Sequence, residues 1–192
     1  AESLGRNGEK KMIDVPGYRL SGTLFSPEQI RARVKEMGAQ ISKDYEGETI
    51  LAVGILKGAF VFMADLVRGI EGDVRLDFMM ASSYGSETES SGIVRIKKDM
   101  DTSPVGQNIL IIEDVVDTGQ TLYYLKEHFF KDRKAKSIKI ATMFNKKARR
   151  IVDLEPDYCG FELDNVFVLG YGLDYDEKFR NLPDLRYLEE DK

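Results

Sequence analysis

A chain of 192 residues, 42% hydrophobic and 32% charged, is long enough for one well-buried domain and short for two, with the composition of an ordinary soluble globular protein. Its net charge of −5 speaks against non-specific nucleic-acid binding, and no apolar run approaches the ~18 residues of a membrane span. The single cysteine, Cys159, excludes an internal disulfide, and the single histidine, His128, excludes multi-histidine zinc sites. Cys159 lies in DYCGF and reads as a buried strand thiol rather than a nucleophile. The N-terminal stretch AESLGRNGEKK lacks the apolar segment of a signal peptide, so a cytoplasmic location is expected.

Residues 1–24 are weakly patterned and read as an arm or a peripheral strand, outside a single domain over 25–192. Ser26, Pro27 and Gln29 spell a helix start with a capping box. Ile30, Val34, Met37, Ile41 and Tyr45 then recur at helical spacing. TILAVGILK (Thr49 to Lys57) is a solid apolar run, the pattern of a strand covered on both faces, and Gly58 breaks it before a helix over AFVFMADLVRGI. RLDFMMASSYG reads as a second strand, SETESSG as a mobile loop and IVRIKKDM as a return strand.

Asn108 to Ile112 is a third core strand, followed by a helix that turns Leu122, Leu125 and Phe129 inward. SIKIATMFN, YCGFEL and VFVLGYG supply further strands, and KKARR between them reads as a solvated helical charge run. Near-solid apolar strands alternating with helices predict an α/β fold with a mainly parallel sheet.

In such sheets ligands bind where strands end and helices begin. ILIIEDVVDTGQTL is such a place, and its composition looks contradictory: Glu113, Asp114 and Asp117 repel phosphate, while Thr118, Gly119, Gln120 and Thr121 open a helix as phosphate prefers. Alone, a turn of this kind more often just caps its helix. A sugar phosphate meets both demands, with phosphate in the turn and ribose hydroxyls on Glu113 and Asp114. No G-x-x-x-x-G-K-S/T or G-x-G-x-x-G occurs, and Asp114 and Asp117 are too far apart for the D-x-D of aspartyl-phosphate phosphatases.

IIEDVVDTGQTL resembles the phosphoribosyl-pyrophosphate motif of the type I phosphoribosyltransferases. GILKG, DFMMASSYGSET, MFNKKARR and FVLGYGLDYDEKFR narrow the resemblance to the hypoxanthine/guanine (6-oxopurine) branch, over residues 25–190. It implies a twisted, mainly parallel sheet flanked by helices, a core over 26–155, and a hood subdomain from the terminal segments with its C-terminal elements over 156–192. The implied reaction is transfer of 5-phosphoribosyl from phosphoribosyl pyrophosphate to N9 of hypoxanthine or guanine, giving IMP or GMP and pyrophosphate.

The resemblance also implies residue roles. Glu113 and Asp114 hold the ribose hydroxyls, Asp117 to Thr121 wrap the 5′-phosphate, and Asp117 is the acid/base group near purine N7. Lys57, Gly58 and Arg180 contact pyrophosphate, with a cis peptide expected at Leu56–Lys57. Lys146 donates to the 6-oxo group, Phe167 stacks on the base and Val168 meets its edge. Ser83 and Tyr84 begin a lid, and Asp174 is a Mg²⁺ ligand. A homodimer or homotetramer is implied as well.

Each residue has a plainer reading as a surface charge, turn residue or core aromatic, and only their joint placement argues for the site. Two rival functions stay open: a non-catalytic regulator that binds phosphoribosyl pyrophosphate, and a phosphatase using Asp114.

Overall fold

The computed structural model describes residues 17–86 and 89–190, with the side chains of 21, 82–93 and 190 outside the description. Strand β1 (Tyr18–Phe25) is followed by helix α1 (Pro27–Asp44). The capping box predicted for α1 is present: the Ser26 N–H donates to Gln29 Oε1 at 2.8 Å and the Gln29 N–H to Ser26 Oγ at 3.3 Å. Its apolar stripe of Ile30, Val34, Met37 and Ile41 is buried.

The main sheet is built on β2 (Thr49–Ile55). Next come α2 (Phe60–Arg68), the hairpin strands β3 (Asp73–Ser86) and β4 (Glu89–Lys98), then β5 (Asn108–Val116), α3 (Gln120–Glu127), β6 (Ser137–Asn145) and β7 (Tyr158–Glu162). The spatial order is β4-β3-β2-β5-β6-β7, parallel throughout except for the antiparallel β3/β4 pair. Alternate side chains of β2 and β5 enter opposite layers. Ile50, Ala52, Leu110 and Ile112 pack with α1 and α2, whereas Leu51, Val53, Ile109 and Ile111 pack with Leu122, Leu125 and Phe129. That double covering is why these strands read as unbroken apolar runs.

A second sheet joins the two ends of the described chain. β1 pairs antiparallel with β9 (Leu185–Glu190), which pairs with β8 (Val168–Leu169).

Three expectations need correction. SETESSG is not a free loop, because β3 and β4 continue to pair at Gly85↔Ser90 and Ser86↔Glu89; Glu87 and Thr88 lie outside the described residues. β7, placed with the hood on the sequence, belongs to the main sheet in parallel register with β6 (Ala141↔Tyr158). The Tyr158 hydroxyl anchors it by donating to Asp44 Oδ2 of α1 at 2.7 Å. KKARR is no helical run, since only Lys147–Arg149 forms a single 3₁₀ turn.

Candidate active site

From β2 the chain winds outward to β3 and β4, then returns to the opposite side of β2 and proceeds through β5, β6 and β7. The reversal makes the carboxyl ends of β2 and β5 the switch point, where an open α/β sheet parts its loops into a crevice. The polar groups singled out on the sequence gather around this place.

Beyond β2, the Leu56–Lys57 peptide is cis, as expected for this loop. Gly58 then packs directly on the end of β5: a Cβ built there would lie 1.7 Å from Asp114 Oδ2. Gly172, from the loop after β8, closes on the same turn, and its Cβ would lie 2.2 Å from the Gly58 carbonyl oxygen. A side chain at Gly58 would have to displace the Asp114 carboxyl, and one at Gly172 the Gly58 backbone.

β5 runs further than expected and carries both acids, Glu113 and Asp114, in its last turn of pleat. Burial raises the Glu113 carboxyl well above the usual carboxylate range, and the neighbouring Asp114 charge pushes it further up. Burial raises Asp114 as well, against hydrogen bonding and the Arg180 charge, which favour its ionised form. An acid pair of this kind suits hydroxyl donors or a cation.

The helix after the turn starts at Gln120 rather than near 122. Its N-cap is Gly119, at φ 81°, which has no side chain to cap with. Asp117 and Thr118 precede that position, so neither is the N-cap residue expected of a simple capping turn. First-turn amides have no intrahelical carbonyl to meet, so they suit an anion. Thr118, Gln120 and Thr121 stand partly exposed around Gly119.

The two oxygens of Asp117 differ. Oδ2 pairs with Arg149 Nη1 at 3.1 Å, while Oδ1 is buried without a partner. Lys146 follows β6 and is 9% exposed, its ammonium donating to the Val166 carbonyl at 2.7 Å. Burial lowers its pKa, the Asp117 charge opposes that, and the Arg149 charge adds to it. The bond to Val166 ties Lys146 to the segment carrying Phe167 and Val168. The Phe167 ring is 51% exposed and meets Tyr175 edge-on at 5.7 Å, whereas the Val168 side chain is buried.

Lys57, Asp174 and Arg180 form one charged cluster with Glu177. Arg180 Nη2 pairs with Asp174 Oδ1 at 2.8 Å and lies 3.5 Å from Glu177 Oε2, and Lys57 Nζ lies 2.9 Å from the same Glu177 oxygen. The second Asp174 oxygen accepts the Glu177 N–H at 2.8 Å.

Among the described residues, no group of three or more His, Cys, Asp or Glu side chains is arranged to hold a metal ion. Asp174 is a carboxylate of the hard-oxygen type of which Mg²⁺ commonly takes one or two, completing its shell with phosphate oxygens and water, but both its oxygens are engaged here, by Arg180 and by the Glu177 N–H. The side chains of Ser83 and Tyr84 lie outside the described residues; their backbone is part of β3.

Sequence reasoning missed Arg149, Arg150 and Glu177. All three sit within charged runs whose pattern gives no direction. The one available signal was adjacency, KKARR to Lys146 and DYDEKFR to Asp174.

The family model for the phosphoribosyl transferase domain matches residues 22–176. The hypoxanthine-guanine phosphoribosyltransferase of Streptococcus thermophilus is 51% identical over 168 residues, covering 88% of this chain and 93% of that protein. The protein of the same name from Bacillus subtilis is 52% identical over 166 residues, covering 86% and 92%. Among solved structures, a hypoxanthine phosphoribosyltransferase from Staphylococcus aureus superposes with a TM-score of 0.85 at 44% identity, covering 88% of this chain and 92% of that one.

Proposed function

The chain belongs to the phosphoribosyl transferase family, and from that premise we propose that it transfers 5-phosphoribosyl from phosphoribosyl pyrophosphate to N9 of hypoxanthine or guanine. IMP or GMP and pyrophosphate are the products, which makes this a purine-salvage reaction. The observation that carries the reading is the approach of Gly58 to Asp114. It sets the loop bearing Lys57 against the acid pair, so that one substrate can meet both.

The 5′-phosphate sits on the Asp117–Thr121 turn, using backbone amides and the hydroxyls of Thr118 and Thr121. Glu113 and Asp114 accept the ribose hydroxyls. Lys146 donates to the purine 6-oxo group, Phe167 covers the base, and the backbone at Val168 meets its edge. Lys57, Gly58 and Arg180 hold the pyrophosphate.

The C1′–O bond breaks with its electron pair departing on pyrophosphate, while the N9 lone pair bonds to C1′. The purine proton passes from N7 to the unpartnered Oδ1 of Asp117. Positive charge builds on the ribosyl ring as in other glycosyl transfers. Asp174, with substrate oxygens, would hold a Mg²⁺ ion, which when bound would supply charge neutralisation at the leaving group. Ser83 and Tyr84 stay assigned to a lid that keeps water from the ribosyl centre.

The antiparallel sheet of β1, β9 and β8 fits a hood subdomain over the main sheet. Among the described residues no helix is long and apolar enough to cross a membrane. A cytoplasmic site of action and a homodimer or homotetramer complete the proposal.

The deciding experiment measures nucleotide formed from phosphoribosyl pyrophosphate and Mg²⁺ with hypoxanthine, guanine, xanthine and adenine. Product with hypoxanthine or guanine but not adenine is expected. Binding of phosphoribosyl pyrophosphate without product from any base would overturn the enzymatic reading in favour of a regulator.

A further inference from the structure

The arginine pair after Lys146 has no part in the roles assigned above, yet both side chains turn onto the phosphate-binding turn. Arg150 donates from Nε to the Asp117 carbonyl at 3.0 Å and from Nη2 to Asn145 Oδ1 at 2.5 Å, with a further bond from Nη1 to the Leu154 carbonyl. Its chain also lies against Gly119, whose Cβ would come within 2.8 Å of Arg150 Cδ. Arg150 therefore braces the backbone of the turn. Arg149 acts elsewhere: its guanidinium meets the Asp117 side chain, at Oδ2.

A carboxylate turns readily about its last torsion, whose wells are broad and nearly two-fold. An ion pair to one oxygen, here at 3.1 Å, biases that torsion and with it where the other oxygen stands. Here the other oxygen, Oδ1, is buried and has no partner. The second cation whose charge acts on Asp117 is Lys146, and its ammonium is bonded to the Val166 carbonyl instead. Without Arg149, Asp117 would be drawn towards Lys146, and each would occupy the other's hydrogen-bonding capacity when the purine arrives.

We propose that Arg149 is a positioning residue for the transfer reaction: it holds Asp117 Oδ2 so that Oδ1 is presented to the purine proton and Asp117 stays apart from Lys146. This rests on the reading of Asp117 as the proton acceptor. Arg149 touches no reacting atom, and since its ion pair is half-exposed its loss should leave the fold intact.

The test is a double-mutant cycle on kcat with hypoxanthine, phosphoribosyl pyrophosphate and Mg²⁺, using Arg149→Gln and Arg149→Lys in wild-type and Asp117→Asn backgrounds, with a melting curve for each. Arg149→Gln should lower kcat about three- to tenfold in the wild-type background, leave the KM for phosphoribosyl pyrophosphate unchanged, and have no further effect beside Asp117→Asn. Arg149→Lys should restore most of the rate. An equal loss in both backgrounds, or no loss in either, would overturn the proposal. Asp117→Asn alone should lower kcat by roughly 10²–10⁴. Wild-type turnover in that single variant would show instead that the Asp117 assignment had failed, and the Arg149 proposal with it.

Discussion

Gly58 and Asp114 stand so close that a methyl group on the glycine would fall 1.7 Å from Asp114 Oδ2, inside the carboxylate. The loop after β2 and the end of β5 thereby meet in close contact, with Lys57 on one side and the Glu113–Asp114 pair on the other.

Gly58→Ala should act on the site more than on the fold. The atoms in the way, Oδ2 and Cγ, belong to the Asp114 carboxyl, which must turn aside as a whole and then leaves the place where a ribose hydroxyl would meet it. The KM for phosphoribosyl pyrophosphate should rise at least about tenfold, the scale of losing one charged hydrogen bond, with little change in melting temperature. Gly172→Ala is the contrasting variant. It strikes the Gly58 backbone oxygen and forces a side chain into φ 98°, so the melting temperature should fall as well. Unaltered kinetics in Gly58→Ala would mean Asp114 does not hold the ribose.

Glu177 lies against Lys57 and Arg180, the two cations assigned to pyrophosphate. Its carboxyl is held below the usual range, by the Lys57 hydrogen bond first, so it remains an anion at neutral pH. An incoming pyrophosphate must compete with it. Glu177→Gln should therefore tighten pyrophosphate binding about threefold in titration calorimetry, in line with the small worth of an exposed ion pair. Weaker binding that appears only with Mg²⁺ would assign Glu177 to the metal instead.

Lys146 yields a pH prediction. Burial lowers its pKa, so it loses its proton at a lower pH than an exposed lysine does. As a neutral amine it keeps a donor for the 6-oxo group but loses the charge that strengthens the bond. The KM for hypoxanthine should rise on the alkaline side before an ordinary lysine would titrate, after allowance for ionisation of the base itself. Lys146→Ala should remove that rise and weaken the preference for 6-oxo over 6-amino purines. Undiminished exclusion of adenine by Lys146→Ala would take the discriminating role away from the lysine.

Much of this architecture is written locally. The capping box at Ser26 and the doubly covered strands β2 and β5 follow from spacing alone, because caps and buried faces are set by residues a few positions apart. The turn from β5 into α3 was legible for the same reason, since Asp117 to Thr121 are contiguous. What the sequence hid depends on chain crossings. Arg149 and Glu177 look like members of solvated charge runs until folding brings them to Asp117 and Lys57. The placement of β7 was hidden too, since its membership of the main sheet rests on register with β6 and on the Tyr158–Asp44 bond across α1. Likewise, the hairpin pairing of β3 with β4 outweighs a composition that has no apolar residue to bury over SETESSG.

Cys159 is partly rather than fully buried, unlike the buried strand thiol expected from the sequence, and it tests the reading of that thiol as inert. Burial first, and the Glu162 charge second, push its pKa up to about 11. Because only the thiolate attacks alkylating reagents, a raised pKa reduces the reactive fraction at every pH below it. At pH 8 that fraction is about one in a thousand, against roughly a quarter for a free cysteine. Iodoacetamide at pH 8 should therefore label the native protein far more slowly than the unfolded chain, and Cys159→Ser should retain full transferase activity. Rapid labelling of the native protein with parallel loss of turnover would overturn the inert reading and bring this edge of β7 into the reaction.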